Sequence, residues 1–228
     1  MKLTKLLTTL GVFMVLGLNA VNASLNVAST TTYLDKYVNR GVFLADEVIQ
    51  SSLTIEYSKA YVAINSFWGT QQKDLFDHEW DASLGVIVRD VLFEGVTVDV
   101  GLTGYFFPNG QISETQEGYV GISLPIIWFD VSAYAYNDFD TDVTTGIVSV
   151  SNTIQILEFL GWQNGVSVGF TDVDGNAKYG WLEGNSQLVL SIGESFSVFA
   201  GGSYTWSDDA DLFDISGVAW SGGVSMSF

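Results

Sequence analysis

The chain of 228 residues is 47% hydrophobic and carries 7 Trp, 10 Tyr, 15 Phe and 24 Gly, with only 2 Pro and no Cys. Its 26 acidic against 8 basic side chains give a formal net charge of −18. An aromatic content of 14% excludes a polar disordered chain, the missing cysteines exclude a disulfide-stapled module, and the acidic balance excludes nucleic-acid binding by phosphate neutralisation.

Residues 1–23, MKLTKLLTTLGVFMVLGLNAVNA, open with Lys2 and Lys5, run through an apolar stretch from Leu6 to Leu18 and finish on Val21-Asn22-Ala23. A charged start, a short apolar core and small or compact residues at −3 and −1 are the signature of a secretory signal peptide cleaved after Ala23. Thirteen helical residues fall short of a hydrocarbon core of about 30 Å, so an anchor helix is the poorer reading. Cleavage would remove two lysines and deepen the net charge from −18 to −20. Beyond this segment no apolar run reaches membrane-helix length.

From residue 24 onward the pattern is alternation with period two. In 78–89, Trp80, Ala82, Leu84, Val86 and Val88 oppose Asp81, Ser83, Gly85 and Arg89; in 94–106, Val96, Val98, Val100 and Leu102 oppose Thr97, Asp99, Gly101 and Thr103. A strand puts these sets on opposite faces. With turn residues as punctuation, twelve strands are predicted: 25–34, 49–58, 60–69, 78–89, 94–106, 115–124, 127–137, 145–156, 165–172, 179–192, 195–206 and 219–228. Short connections (Ser58-Lys59, Asp90 to Phe93, Pro125-Ile126, Gly193-Glu194, and a longer one at 157–164) alternate with long polar ones at 35–48, 70–77, 107–114, 138–144, 172–178 and 207–218. Both Pro108 and Pro125 are expected in connections, where a missing N–H breaks no ladder.

Alternating short and long connections, with both chain ends on the short side, predict an all-β fold: a transmembrane antiparallel up-and-down β-barrel of twelve strands, with ten as the alternative, forming one domain over residues 24–228. The aromatics agree. Tyr33, Trp68, Trp80, Tyr105, Phe106, Tyr119, Tyr136, Phe170, Trp181, Tyr204, Trp206 and Trp220 cluster at predicted external strand ends. Tyr57, Tyr61, Phe93, Trp128, Phe129, Phe159, Trp162, Phe196 and Phe228 cluster at the periplasmic ends. Two girdles at headgroup level suit a barrel, whereas a soluble sandwich would gather its rings mid-strand. The last strand alternates Trp220, Gly222, Val224, Met226 and Phe228 with Ser221, Gly223, Ser225 and Ser227. A terminal aromatic on an alternating strand resembles the signal read by the outer-membrane barrel assembly machinery. Outer-membrane lipid and lipopolysaccharide are the other expected partners.

Catalytic chemistry finds little purchase. His78 is the single imidazole, sits between Asp77 and Glu79 at a loop edge, and reads as a solvated loop residue, so no enzyme is expected. The run Asp172 to Glu183 imitates the acidic spacing of an EF-hand, but Ala177 occupies the position that needs glycine, and an Asp-Gly hairpin turn explains it better. Neither a cofactor nor a metal site is predicted. Loose divalent-cation binding by Asp138, Asp140, Asp142 and by Asp208, Asp209, Asp211, Asp214 ranks behind simple charge repulsion between loops. The polar parity of the strands carries Glu56, Asp81, Asp99, Asp130 and Glu183 against Arg89 alone, which predicts a cation-preferring pore lining. Inward glycines (Gly85, Gly101, Gly121, Gly169, Gly201 and Gly223) favour an open lumen.

The stretch TTTYLDKYVNRGVFLADEVIQSSLTIEYSKAYVAINSFWGT carries Tyr37, Arg40 and Gly41 after an alternating Ser/Thr strand, Gln50 and Leu53 opening the next strand, and Phe67-Trp68 ending the third. Over residues 29–69 it resembles the TorF family of small proteobacterial outer-membrane porins, and the resemblance implies a porin without assigning a site. Arg40, with Lys36 and Lys73, is one of three bases in the first two long loops. Facing an acidic mouth it is a candidate to fold loop 35–48 inward as a constriction, an ordinary loop ion pair being the other reading. The expected function is passive diffusion of small solutes, with a weak cation preference; the alternative is a non-conducting barrel whose acidic loops bind a partner, a surface or divalent ions. If a closed barrel forms, the protein fractionates with outer membranes and migrates faster on a gel unheated than boiled; heat-independent migration would contradict it.

Overall fold

A computed structural model describes residues 25–69, 78–91, 93–108, 113–173, 177–208 and 217–228. The predicted signal peptide and Lys73 lie outside the described residues. The expected twelve strands are all present: β1 (Leu25–Asn39), β2 (Val42–Tyr57), β3 (Ala60–Gly69), β4 (His78–Arg89), β5 (Thr97–Phe106), β6 (Thr115–Ile126), β7 (Phe129–Asp138), β8 (Val143–Leu157), β9 (Leu160–Val173), β10 (Ala177–Ile192), β11 (Phe196–Ser207) and β12 (Gly217–Ser227). Each pairs antiparallel with its chain neighbours, and β1 pairs β12 to close the ring. At the seam Phe228 and Val27 exchange both backbone hydrogen bonds, at 2.9 and 3.0 Å.

Several boundaries differ from the sequence expectation. Residues 35–48 are not a loop: β1 and β2 continue through them and meet at a two-residue turn, Arg40-Gly41, with φ of 51° and 76°. Positive φ at both central positions is the type I′ hairpin geometry, which glycine at the second position favours. The connection at 157–164, expected to be the longest of the short ones, is a tight turn at Glu158-Phe159, because β9 begins at Leu160. Strand β5 begins at Thr97 rather than 94; Gly95, with φ of 88°, closes the preceding turn and donates its N–H to Asp90 Oδ1 at 2.8 Å. Pro125 lies inside β6, opposite Asp130 of β7, one step from the Ile127-Trp128 turn, where the last rungs tolerate a missing donor.

Register fixes which parity faces inward. Glu56 pairs with Tyr61, Asp81 with Tyr105, Asp99 with Gly121 and Glu183 with Ser167, and these rows run continuously round the wall. Inward hydroxyls and amides bond across strands: Ser83 with Thr103 at 2.9 Å, Ser149 with Ser167 at 2.9 Å, and Gln187 to Gln163 at 2.7 Å. The opposite parity exposes Val100, Val120, Val148, Val166, Val168, Leu188 and Leu190. An apolar belt running round a barrel far exceeds the patches that water-soluble monomers expose, so its solvent is hydrocarbon.

The girdles need one correction. Trp68, Trp80, Phe170, Tyr204, Trp206 and Trp220 are exposed on the outside at one end, and Trp128, Phe129, Phe159, Trp162 and Phe228 at the other. Tyr61, Tyr105, Tyr119, Tyr136 and Trp181, however, share the inward parity, because proximity to a strand end says nothing about face. The expectation that inward glycines leave space is corrected too. Each stands directly opposite a large inward residue: Tyr61 lies across Gly85, Tyr119 across Gly101, Tyr134 across Gly121, Trp181 across Gly169, Gln187 across Gly201 and Phe199 across Gly223. The glycines let rings lie along the wall instead of projecting into the lumen, a pairing that relieves the exposed backbone of a strand glycine. A Gly169→Val substitution forces the Trp181 indole off the wall and should lower barrel stability by about 1–3 kcal/mol in denaturant titrations from lipid vesicles; an unchanged midpoint would mean the indole has room to move.

Candidate functional site: the lumen and its inward hairpin

The β1–β2 ribbon does not rise straight out of the barrel. Glu47 adopts φ of 50° within β2, and the register slips between Tyr37 and Val38. Two irregularities in one ribbon give it the bend that β-bulges supply. On the neighbouring strand the Trp220 N–H donates to the Asp35 carboxylate beside the bend. Beyond it the ribbon folds over the lumen and buries Tyr37, Ala45 and Val48 against Phe67, with Leu34, Leu44 and Phe107 around them. Tyr37 stacks on Phe67 at a centroid distance of 4.5 Å and an interplanar angle of 18°. Full burial of a Val48-sized side chain contributes about 1.5–3 kcal/mol, enough to hold a ribbon that water would otherwise solvate.

At the tip, Arg40 reaches the far wall. Its Nη1 donates to Glu117 Oε2 at 2.7 Å and its Nη2 to Glu117 Oε1 at 2.6 Å, the two-pronged pairing that a guanidinium makes with a carboxylate. Tyr105 donates its hydroxyl to Glu117 Oε1 at 2.6 Å, and the Tyr136 ring lies 4.1 Å from the guanidinium carbon. Tyr179 donates to the Arg40 carbonyl at 3.4 Å, while Gly41 packs on Trp181. The tip therefore touches β5, β6, β7 and β10, strands that stand three or more places round the ring from β1 or β2. Burial alone would push the Arg40 guanidinium down, but its hydrogen bond to and charge pairing with Glu117 outweigh this and hold it above its ordinary value.

The residues expected to line a pore all take inward positions, with different company. Glu56 accepts from Arg89 Nη2 at 2.7 Å near the end that carries the chain termini, which is periplasmic in this architecture. Asp99 accepts from Tyr61 at 3.0 Å and from Tyr134 at 3.2 Å. Asp130 is exposed at the periplasmic rim. Glu183 and Lys36 line one cavity of about 160 Å³ beneath the bent ribbon, together with Asn185 and Gln187. Asp81 is buried next to Glu79, which the sequence reading missed although it shares the inward parity; among the described residues, Glu79 Oε2 and Asp81 Oδ1 have no hydrogen-bond partner. Glu117 was missed as well, and extending the Tyr119 parity by one step back would have found it.

Other sequence candidates separate. His78 is the first residue of β4, its ring 4.0 Å from that of Trp68. Asp172 lies on the outward parity of β9 while Glu183 faces the lumen from β10, so no single cation reaches both. Asp138 accepts the backbone N–H groups of Asp140 and Thr141 at 2.8 and 2.9 Å and so caps its own turn. Asp209, Asp211 and Asp214 lie outside the described residues.

A closed antiparallel ring with an apolar exterior, two aromatic belts and a polar, charged lumen defines a transmembrane β-barrel of the outer membrane. No family model matches the chain, and no curated protein matches its sequence. Among solved structures the fold is similar to that of a KdgM porin, with a TM-score of 0.61, 8% identity, and coverage of 89% of this chain and 99% of that one. A KdgM porin in complex with disordered oligogalacturonate gives 0.59 at 8% identity and the same coverage. A NanC porin gives 0.55 at 12% identity, again over 89% and 99% of the two chains. At such identities the likeness is one of architecture.

Removing one partner of a desolvated ion pair costs about 3–5 kcal/mol. A Glu117→Gln variant should therefore release the ribbon tip and expose the Arg40-Gly41 bond to trypsin in the intact barrel, while the unmodified protein resists cleavage there. Equal cleavage of both would show that the Arg40–Glu117 pair does not hold the tip.

Proposed function

We propose that the protein is an outer-membrane channel for passive diffusion of small solutes, weakly cation-preferring, narrowed at its external mouth by the β1–β2 ribbon. The observation that carries this reading is the charge of the inward parity: Glu56, Glu79, Asp81, Asp99, Glu117, Asp130 and Glu183 outnumber Lys36, Arg40 and Arg89. A low-dielectric wall focuses such an excess on the passing ion. Rings folded flat over glycines keep bulk out of the axis, and the similar fold of known porins supports the same reading. The porin resemblance of residues 29–69 points the same way.

We propose further that lipopolysaccharide packs against the external girdle and that Phe228, on the lipid-facing side of the closing seam, is read by the assembly machinery. A ribbon lying across the mouth also favours a second reading, a barrel that does not conduct.

Planar-bilayer recordings decide between the two. The channel reading expects discrete conductance steps and, under a KCl gradient, a reversal potential of the sign for potassium; absent steps support the closed barrel, and a zero or chloride-directed potential refutes the cation preference. Arg40→Ala frees the ribbon and leaves Glu117 unneutralised, so conductance should rise and cation selectivity sharpen. If both stay unchanged, the ribbon is not the constriction.

A further inference from the structure

The upper lumen shows what chemistry its wall accepts. There a guanidinium is seated between a carboxylate and an aromatic face: Arg40 on Glu117, with the Tyr105 hydroxyl on the same carboxylate and the Tyr136 ring 4.1 Å away. One step further into the barrel the same elements recur around Asp99, which Tyr61 and Tyr134 approach through their hydroxyls. Tyr119 completes the group, in hydroxyl contact with Tyr61 and with its ring centroid 6.5 Å from that of Tyr134. It also stands 5.8 Å from Tyr136, so the two aromatic groups are contiguous.

In one respect the lower group differs. Among the described residues, Asp99 has tyrosine hydroxyls as its hydrogen-bond partners and no base. A carboxylate offers about four lone-pair directions, and the two tyrosines leave room for a guest. Asp99, Tyr61, Tyr119 and Tyr134 are all half-buried on the inward parity, open to the lumen. Tyr119 and Tyr134 are held along the wall over Gly101 and Gly121, and so keep their place without a ligand.

We propose that Asp99, Tyr61, Tyr119 and Tyr134 form a binding site for small organic cations bearing a guanidinium or primary ammonium group, the charge resting on Asp99 and the aromatic faces. The wall's own Arg40 site is the precedent for this chemistry, and aromatic faces attract such cations more strongly in a desolvated setting than in water. A neutral solute of the same shape forfeits both attractions. The site rests on the channel reading for the route by which a solute reaches it, and makes the weak cation preference selective for organic cations.

The test uses the full barrel in detergent micelles, with ¹³C-labelled tyrosine rings, titrated with methylguanidinium chloride and, separately, with the neutral isostere methylurea. The expected result is a saturable shift of the Tyr61, Tyr119 and Tyr134 signals with methylguanidinium only. Asp99→Asn should weaken it about tenfold or more, as loss of a charge-assisted bond requires. Tyr134→Leu should weaken it by a smaller factor, and serves where the first variant does not fold. Absence of a saturable shift, an equal response to methylurea, or shifts confined to Tyr105 and Tyr136 overturn the proposal. Bilayer conductance without methylguanidinium binding sinks this site alone; binding without conductance sinks the channel reading and leaves the site standing.

Discussion

Hydrocarbon supplies no hydrogen bonds, so a sheet that crosses a membrane has to satisfy every backbone donor and acceptor within itself. The β1–β12 seam, finished by the reciprocal bonds of Val27 and Phe228, is where this chain meets that condition. Closure dictates the rest. Once the ring is shut each strand has a lipid face and a lumen face, and the period-two alternation must respect the division throughout. A slip of one residue would turn Asp81, Asp99 and Glu183 toward the acyl chains, at a cost of several kcal/mol for each buried charge.

Inside the ring the problem inverts, because polar groups confined to a narrow lumen need partners. The wall answers in three ways: hydroxyl and amide pairs between adjacent strands, carboxylates held by tyrosine hydroxyls, and charge pairs at the two ends of the barrel. The bent β1–β2 ribbon belongs to this scheme. It covers Phe67 with Tyr37, packs Ala45 and Val48 into the same cluster, and brings a base to Glu117. The apolar contacts hold the ribbon's body, whereas the desolvated ion pair fixes where its tip lies.

Cross-strand glycines set how the wall presents its side chains to the lumen. Tyr119 and Tyr134 lie along the barrel only because Gly101 and Gly121 oppose them, and this arrangement gathers hydroxyls on Asp99. A side chain at either glycine would swing the ring toward the axis, altering the lumen's width and its polar chemistry together.

Strand number, the antiparallel up-and-down order and the inward position of Glu56, Asp81, Asp99 and Glu183 were legible in the sequence, because alternation and turn residues are local properties. Residues 35–48 were not. Charged and turn-forming residues, among them Asp35, Lys36, Asn39, Gly41, Asp46 and Glu47, resemble a loop, yet they form a ribbon whose tip finds Glu117 seventy-seven positions away. Parity placed Gly121 inward without revealing that Tyr134 covers it, since a glycine's neighbour across the sheet depends on register. Thus period and punctuation, which act over a few residues, determined that this chain closes into an acidic-lined barrel. Which carboxylates are paired, which rings face inward and where the first ribbon points were decided by tertiary structure, because each depends on groups that only the closed ring brings within a few ångströms.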